Sequence, residues 1–169
     1  STGSAGDEHR CILEARVHEP RLDGPSHWLR YRASPQVRGG AMQLPEELRE
    51  ALDEKVFVHL ATVNEDGSPQ VSAIWIGRDG NTLLFSTAEG RVKTANIRRD
   101  PRVALSFTPV GDAYKNYVLQ GRVTRFEPDG WWLIDDLARK YIDADSYPWR
   151  TPGQVRVNGE IEIDKIGSN

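Results

Sequence analysis

The segment Phe85–Arg102 places hydroxyl residues and cations close together. A predicted strand ends near Ser86 and Thr87, and a short predicted helix follows with Arg91 and Lys93 at its start. Backbone N–H groups and the positive end of the helix dipole attract anions at such a helix start. The spacing therefore predicts a phosphate-binding site. The alternative is a solvated basic helix, because charge runs usually form solvated faces.

Apolar and polar residues alternate along the chain in a pattern that predicts six strands and few helices. Asp66–Gly67 and Asp79–Gly80 are typical of hairpin turns, and Asp100–Pro101 is expected to end the basic helix. Gly121 lies in the middle of a long strand, where it predicts a bulge or a bend. These elements favour a closed antiparallel barrel over a flat sheet with exposed edges. The predicted strands are Val56–Val63, Pro69–Ile76, Thr82–Ser86, Arg102–Thr108, Tyr117–Phe126 and Gln154–Ile163, and the predicted helices are Leu44–Glu54, Arg91–Arg99 and Pro128–Tyr141.

The composition argues against several classes of protein. The length of 169 residues fits one domain, or one domain with an appendage. A net charge of -3 argues against a general nucleic-acid binder. No apolar run approaches the ~18 residues that span a membrane, and no secretory signal pattern is present. Cys11 is the only cysteine, so we expect no disulfide framework and no cysteine-based zinc site, and we predict a cytoplasmic protein.

Residues 1–41 differ in composition from the rest of the chain. They contain three of the four histidines, the single cysteine and six arginines, but no lysine and no persistent strand or helix period. We interpret them as an N-terminal extension, which is either a tag or upstream read-through, or an arm that wraps the domain or a partner subunit. Residues 42–169 are expected to form the cofactor-binding domain.

Three sequence strings resemble the pyridoxamine 5′-phosphate oxidase-like split-barrel superfamily of flavin and deazaflavin proteins. They are LATVNEDGSPQVSAIWI (Leu60–Ile76), LLFSTAEGRVKTANIRRDPRVALSF (Leu83–Phe107) and YVLQGRVTRF (Tyr117–Phe126). The resemblance covers Leu44–Ile166, and its second string is most similar to the subgroup that binds coenzyme F-420. The pyridoxamine phosphate oxidases proper carry a long C-terminal segment with an Arg-rich strand, which is not found before Asn169.

The resemblance implies a mainly β fold with a few helices, namely a six-stranded antiparallel split β-barrel of the FMN-binding type. It also implies a homodimer with two cofactor sites at the subunit interface. Ala73 departs from the family pattern, because relatives often carry a polar residue at this position. The cofactor-binding residues that the resemblance implies by position are Gln70, Ser72, Ala73, Ser86, Thr87, Ala88, Arg91, Lys93 and Thr94.

We predict neither a catalytic side chain nor a metal site in the domain. It contains no cysteine, and its one histidine, His59, is interpreted as a structural strand residue. A bound cofactor that supplies the hydride chemistry fits this composition. The resemblance favours an F-420-dependent oxidoreductase that acts on an unknown small organic acceptor, and Arg98 and Arg99 would be surplus cations for the glutamate tail of F-420. The alternatives are an FMN-dependent oxidase or reductase and a non-catalytic flavin or deazaflavin carrier.

Aromatic residues are expected near the same site. Trp75 is predicted to pack in the dimer interface or against the ring of the cofactor, and the alternative is simple packing in the core. Residues Tyr147–Trp149 lie in a turn-rich loop, and they either cover the substrate side of the site or pack as an ordinary loop.

Overall fold

A computed structural model describes residues 42–168, so the predicted extension at residues 1–41 lies outside the described residues. Among the described residues, no helix is long and apolar enough to cross a bilayer. The helices are α1 (Glu46–Asp53), α2 (Val92–Arg99) and α3 (Trp132–Ile142), and the strands are β1 (Val58–Val63), β2 (Pro69–Ile74), β3 (Gly77–Asp79), β4 (Thr82–Ala88), β5 (Arg102–Phe107), β6 (Tyr117–Pro128) and β7 (Arg156–Ser168).

The strands form one antiparallel sheet in the order β2-β1-β5-β6-β7-β4-β3. The sheet curls into a half-barrel, which confirms the mainly β, split-barrel fold. The two ends of this ladder, β2 and β3, are neighbours along the chain. The described strands therefore form a split barrel, where the sequence pattern favoured a closed one.

The structure has seven strands where six were expected. The additional strand is β3, whose three residues pair with the start of β4. The predicted strand Pro69–Ile76 pairs with β1 only as far as Ile74, and the chain then crosses to the other end of the sheet. Gly80 makes the predicted turn between β3 and β4 with a φ of 58°. A strand of three residues is too short for an alternating pattern to reveal it.

The main core lies on the inner face of the curled sheet and includes α1. On β1, Val58 and Leu60 point into this core, whereas His59 is exposed on the other face. A second apolar cluster packs α3 against the opposite face of β4. Leu137 of α3 is fully buried there, so its truncation to alanine would cost about 2–5 kcal/mol. This packing fixes α3 beside the end of β4.

The bulge that the sequence predicts at Gly121 is confirmed. The register between β6 and β7 shifts between Gln120 and Gly121. A Cβ atom on Gly121 would lie 2.2 Å from the carbonyl oxygen of Glu162, so only glycine allows this approach of the two strands.

Candidate functional site

A pocket of about 290 Å³ opens where the end of β2, the end of β4, the start of α2 and the loop between α3 and β7 meet. Six residues that the family resemblance implied line it: Ala73, Ser86, Thr87, Ala88, Arg91 and Lys93. The other lining residues are Phe57, Ile74, Trp75, Ile134, Tyr147, Trp149 and Arg156. The predicted phosphate site and the predicted aromatic loop therefore share one pocket.

The turn between β4 and α2 aims the first two cations at this pocket. Gly90 adopts a φ of 79°, which reverses the chain after β4. The hydroxyl of Thr94 donates a 2.7 Å hydrogen bond to the carbonyl of Ala88 and ties the helix back to the strand end. No side chain caps the first turn of α2, and no acidic residue lies in it. The positive end of this helix is thus available to an anion.

Three cations line the pocket with different degrees of exposure. Arg91 is exposed, Lys93 is half-buried and Arg156 is only 8% exposed. Burial lowers the pKa of Lys93, and the positive charges of Arg91 and Arg156 lower it further. Within residues 42–168, none of the three forms a salt bridge with a carboxylate. The arrangement is a cluster of cations that repel one another, which an anionic ligand would neutralise.

Arg156 is a site residue that the sequence reasoning missed. It pairs with Ala88 across the β4–β7 ladder, and its Nε and Nη2 atoms donate to Ser86 Oγ at 3.3 and 3.1 Å. Its guanidinium lies 5.6 Å from the ring centroid of Trp131 and 5.4 Å from that of Tyr147. Burial lowers the pKa of Arg156, an effect that the nearby Arg91 reinforces and that Tyr147 and Asp135 oppose. In the sequence, this arginine is visible only as a charged residue between two valines at the start of a strand. Its place in the pocket becomes evident only from the pairing of β7 with β4.

Aromatic rings form a second wall of the pocket. Trp75 stacks on Tyr141, with ring centroids 5.2 Å apart and an interplanar angle of 5°. Tyr147 meets Trp75 edge to face at 6.0 Å and Trp149 at 5.5 Å. Trp75, Tyr147 and Trp149 all line the pocket, so the pocket combines a cationic end with an aromatic wall.

Three of the residues that the resemblance implied do not line the pocket. Gln70 accepts a hydrogen bond from Thr62 Oγ1 at 2.8 Å and donates to the carbonyl of Val71 at 3.1 Å. Ser72 has a buried Oγ without a hydrogen-bond partner within residues 42–168, and it lies on the face of β2 opposite Ala73. Thr94 is buried and supports the turn described above. A direct contact of Gln70, Ser72 or Thr94 with a cofactor stays a prediction.

The two proposed surplus cations of α2 are engaged with protein groups. Arg98 forms an ion pair with Glu89, and this pair raises the pKa of Arg98 and lowers that of Glu89. Arg99 donates to the carbonyl of Val63 and to Asn96 Oδ1. The additional positive charge in the pocket therefore comes from Arg156 of β7 and not from the end of α2.

His59 is exposed, and it is not among the residues that line the pocket. It pairs across the β1–β2 ladder with Ala73, which lines the pocket. Within the part of the chain that the structure describes, no group of three or more His, Cys, Asp or Glu residues is arranged to hold a metal ion.

Comparison with known proteins gives this pocket its family context. The sequence profile described as pyridoxamine 5′-phosphate oxidase matches residues 44–164, which is well over half of the chain. The chain belongs to the pyridoxamine 5′-phosphate oxidase family. The matched residues include the end of β4, the start of α2 and the start of β7, which form the cationic end of the pocket.

Solved structures support the same fold. A solved structure described as an F420 reductase is 30% identical in sequence and superimposes with a TM-score of 0.65. The alignment covers 73% of this chain and 98% of the F420 reductase chain. A conserved hypothetical protein from Mycobacterium tuberculosis is 19% identical, covers 78% of this chain and 87% of its own, and has a TM-score of 0.59. A putative pyridoxamine 5′-phosphate oxidase from Listeria innocua is 18% identical over 73% of this chain and 95% of its own, with a TM-score of 0.56. The last two likenesses concern the fold alone.

Proposed function

We propose that the protein is an F-420-dependent oxidoreductase that transfers a hydride between the bound deazaflavin and a small organic acceptor. The observation that carries this proposal is the group of three pocket cations, Arg91, Lys93 and Arg156. Its family has a flavin-binding fold, and a relative at 30% identity is described as an F420 reductase. The chemistry of the pocket and the family therefore point to the same class of ligand.

The residues of the pocket fit an anionic cofactor. Arg156 is buried and has no carboxylate partner within residues 42–168, an arrangement that costs free energy until an anion pairs with it. Arg91 and Lys93 would hold the phosphate at the start of α2, where unpaired N–H groups add to the attraction. F-420 carries an acidic glutamate tail in addition to its phosphate, and FMN does not. The third cation therefore favours F-420 over FMN.

The protein would contribute binding and orientation rather than a reacting side chain. When bound, the deazaflavin supplies the hydride chemistry. Ser86 and Thr87 would hold polar groups near the phosphate, whereas Trp75, Tyr147 and Trp149 would orient a flat ring system and exclude water from it. An acceptor that stacks on this wall would be flat and conjugated, such as a quinone, an enone or a tetrapyrrole.

A homodimer is the assembly that we propose for this site. One row on the face of the sheet that points away from the core consists of Ala73, His59, Ser106 and Val118, which pair in register across β2, β1, β5 and β6. Val71, on the next row, is 57% exposed. Ala73 belongs both to this face and to the pocket, so a second copy on the face would border the cofactor.

One assay separates the proposed enzyme from its two alternatives. The full chain is mixed with reduced F-420, and quinones, enones and tetrapyrroles are added in turn while the oxidised cofactor is followed by its fluorescence. Turnover of at least one acceptor is expected. The same reactions are run in parallel with reduced FMN, and F-420 binding is titrated separately. Tight F-420 binding without turnover of any acceptor would favour a carrier, and activity with FMN alone would place the protein in the flavin branch of the family.

A further inference from the structure

Asp135 attaches the loop between α3 and β7 to the first turn of α3 by two side-chain contacts. Asp135, in the first turn of α3, accepts a 2.8 Å hydrogen bond from the backbone N–H of Tyr147 on Oδ1. Its Oδ2 accepts a 2.5 Å hydrogen bond from Arg150 Nη2. The Asp135 side chain is 16% exposed and that of Arg150 is 45% exposed. Both contacts join the helix to the same short stretch of loop.

The attached loop builds the surroundings of the buried cation. Tyr147 and Trp131 stack at 6.3 Å with an interplanar angle of 30°, and the guanidinium of Arg156 lies over both rings. Arg150 lies over Trp131 as well, 4.8 Å from its centroid. The Asp135 carboxylate thus holds Tyr147 through its backbone N–H, and its ion-pair partner Arg150 lies over the ring of Trp131. These two rings are the aromatic partners of Arg156.

We propose that the Asp135–Arg150 pair is a latch that positions Arg156 for the anionic group of the ligand. The inference rests on the proposed function, in which the pocket takes an anionic cofactor. Asp135 and Arg150 are positioning residues, because they act on the ligand through the loop and Arg156 rather than by contact. When the pair is broken, the loop that carries Tyr147 loses its ion-pair contact with α3, and the two rings beside Arg156 are held less firmly.

Two substitutions with opposite charge changes separate this latch from a simple electrostatic effect. Asp135→Asn removes a negative charge near the pocket, and Arg150→Gln removes a positive charge. If only the field at the pocket mattered, the first change would strengthen anion binding and the second would weaken it. If the latch positions Arg156, both changes weaken binding, and the double substitution weakens it by less than the product of the two single effects.

The chain offers a matched control on the same helix. Asp136 and Arg139 form an ion pair three residues apart that makes no bond to the loop. Asp136→Asn and Arg139→Gln repeat the two charge changes without touching the latch. They are expected to leave anion affinity within about twofold of wild type, because neither residue lines the pocket and solvent and salt screen charges at a distance from it.

The experiment measures the affinity of the full chain and of these variants for pyrophosphate, F-420 and FMN by calorimetry, with the melting temperature as a separate readout. Both latch variants should lose roughly threefold or more in affinity for every probe that the wild type binds. A merely structural role would lower the melting temperature and leave the affinity of the folded protein unchanged. A lower melting temperature with unchanged affinity, or stronger binding by Asp135→Asn, would contradict the proposed positioning role of the Asp135–Arg150 pair.

The probes also separate failure of the latch from failure of the proposed function. A wild-type protein that binds pyrophosphate but neither F-420 nor FMN would overturn the proposed function, and the latch would still be judged on pyrophosphate. A wild-type protein that binds none of the three would contradict both.

Discussion

The guanidinium of Arg156 is joined to the hydroxyl of Ser86 by two hydrogen bonds, of 3.3 and 3.1 Å. This contact connects the start of β7 to the end of β4 and brings a third cation to the pocket that Arg91 and Lys93 line. A hydroxyl satisfies hydrogen-bonding groups but does not neutralise charge. The positive charge of the pocket is therefore left for a ligand.

Replacement of Arg156 tests its role as an anion anchor. Arg156→Gln should weaken F-420 binding by roughly tenfold or more, because a charge-assisted contact is worth about 1.5–3 kcal/mol. The folded state should persist, since the substitution removes a buried charge without a carboxylate partner among residues 42–168. Fluorescence titration measures the affinity, and Arg122→Gln, at an exposed position on β6, is the control. Equal loss in both variants would show only a general charge effect.

Tyr141 is expected to stabilise the aromatic wall through its hydroxyl. This hydroxyl donates to the carbonyl of Val56 at 2.6 Å and accepts from the N–H of Ile76 at 3.1 Å. Tyr141→Phe leaves both backbone groups without this partner and should lower the free energy of unfolding by about 1–3 kcal/mol. Urea denaturation measures the change. The same substitution at Tyr114, which is 97% exposed, should have no measurable effect.

Lys140 gives the stability of the fold a defined pH dependence. Its Nζ donates to the carbonyls of Leu52 and Ile76, and burial lowers its pKa from 10.5 to about 8. Between pH 8 and 10.5 the unfolded chain holds this proton and the folded protein does not, so stability should rise with pH, by at most about 1.4 kcal/mol per pH unit. Burial raises the pKa of Tyr141 to about 12, and that group lowers stability only above pH 10.

The measurement is urea denaturation between pH 8 and 10 of the wild type and of Lys140→Met. The slope with pH should be shallower in Lys140→Met. Lys165→Met removes a lysine from an exposed position and should keep the slope of the wild type. Parallel pH profiles for wild type and Lys140→Met would contradict the assignment.

The proposed dimer face can be tested by one added charge. Val71 is 57% exposed on this face, and Val110 is 64% exposed in the loop after β5. If two copies meet on the face, Val71→Asp should shift the sedimentation coefficient from dimer to monomer, because an unpaired carboxylate would be buried in the contact. Val110→Asp should leave the assembly unchanged. A wild-type monomer that binds F-420 would contradict the dimer.

Local patterns were sufficient to predict most of the fold. Alternation predicted six of the seven described strands, and the glycines predicted the turn at Gly80 and the irregularity at Gly121. The predicted helix Pro128–Tyr141 begins at Trp132 instead, because β6 extends to Pro128 and Gly130 then turns the chain with a φ of 71°. Such boundaries depend on the pairing of distant strands, which a local pattern does not contain.

The site was predictable where it is built from one continuous segment. Ser86, Thr87, Arg91 and Lys93 are close in sequence, and the structure brings all four to the pocket. Arg156 reaches the same pocket only through the register of β7 against β4. Its contribution depends on long-range pairing, so neither composition nor spacing revealed it.

The central claim is that three pocket cations hold an acidic deazaflavin cofactor. The most direct test is a fluorescence titration of the full chain with F-420 and, separately, FMN at physiological salt, with the triple variant Arg91→Ala, Lys93→Ala and Arg156→Gln alongside. We predict tighter binding of F-420 than of FMN by the wild type and a loss of F-420 affinity of at least about a hundredfold in the triple variant. Unchanged F-420 affinity in the triple variant, or tighter binding of FMN by the wild type, would contradict the account.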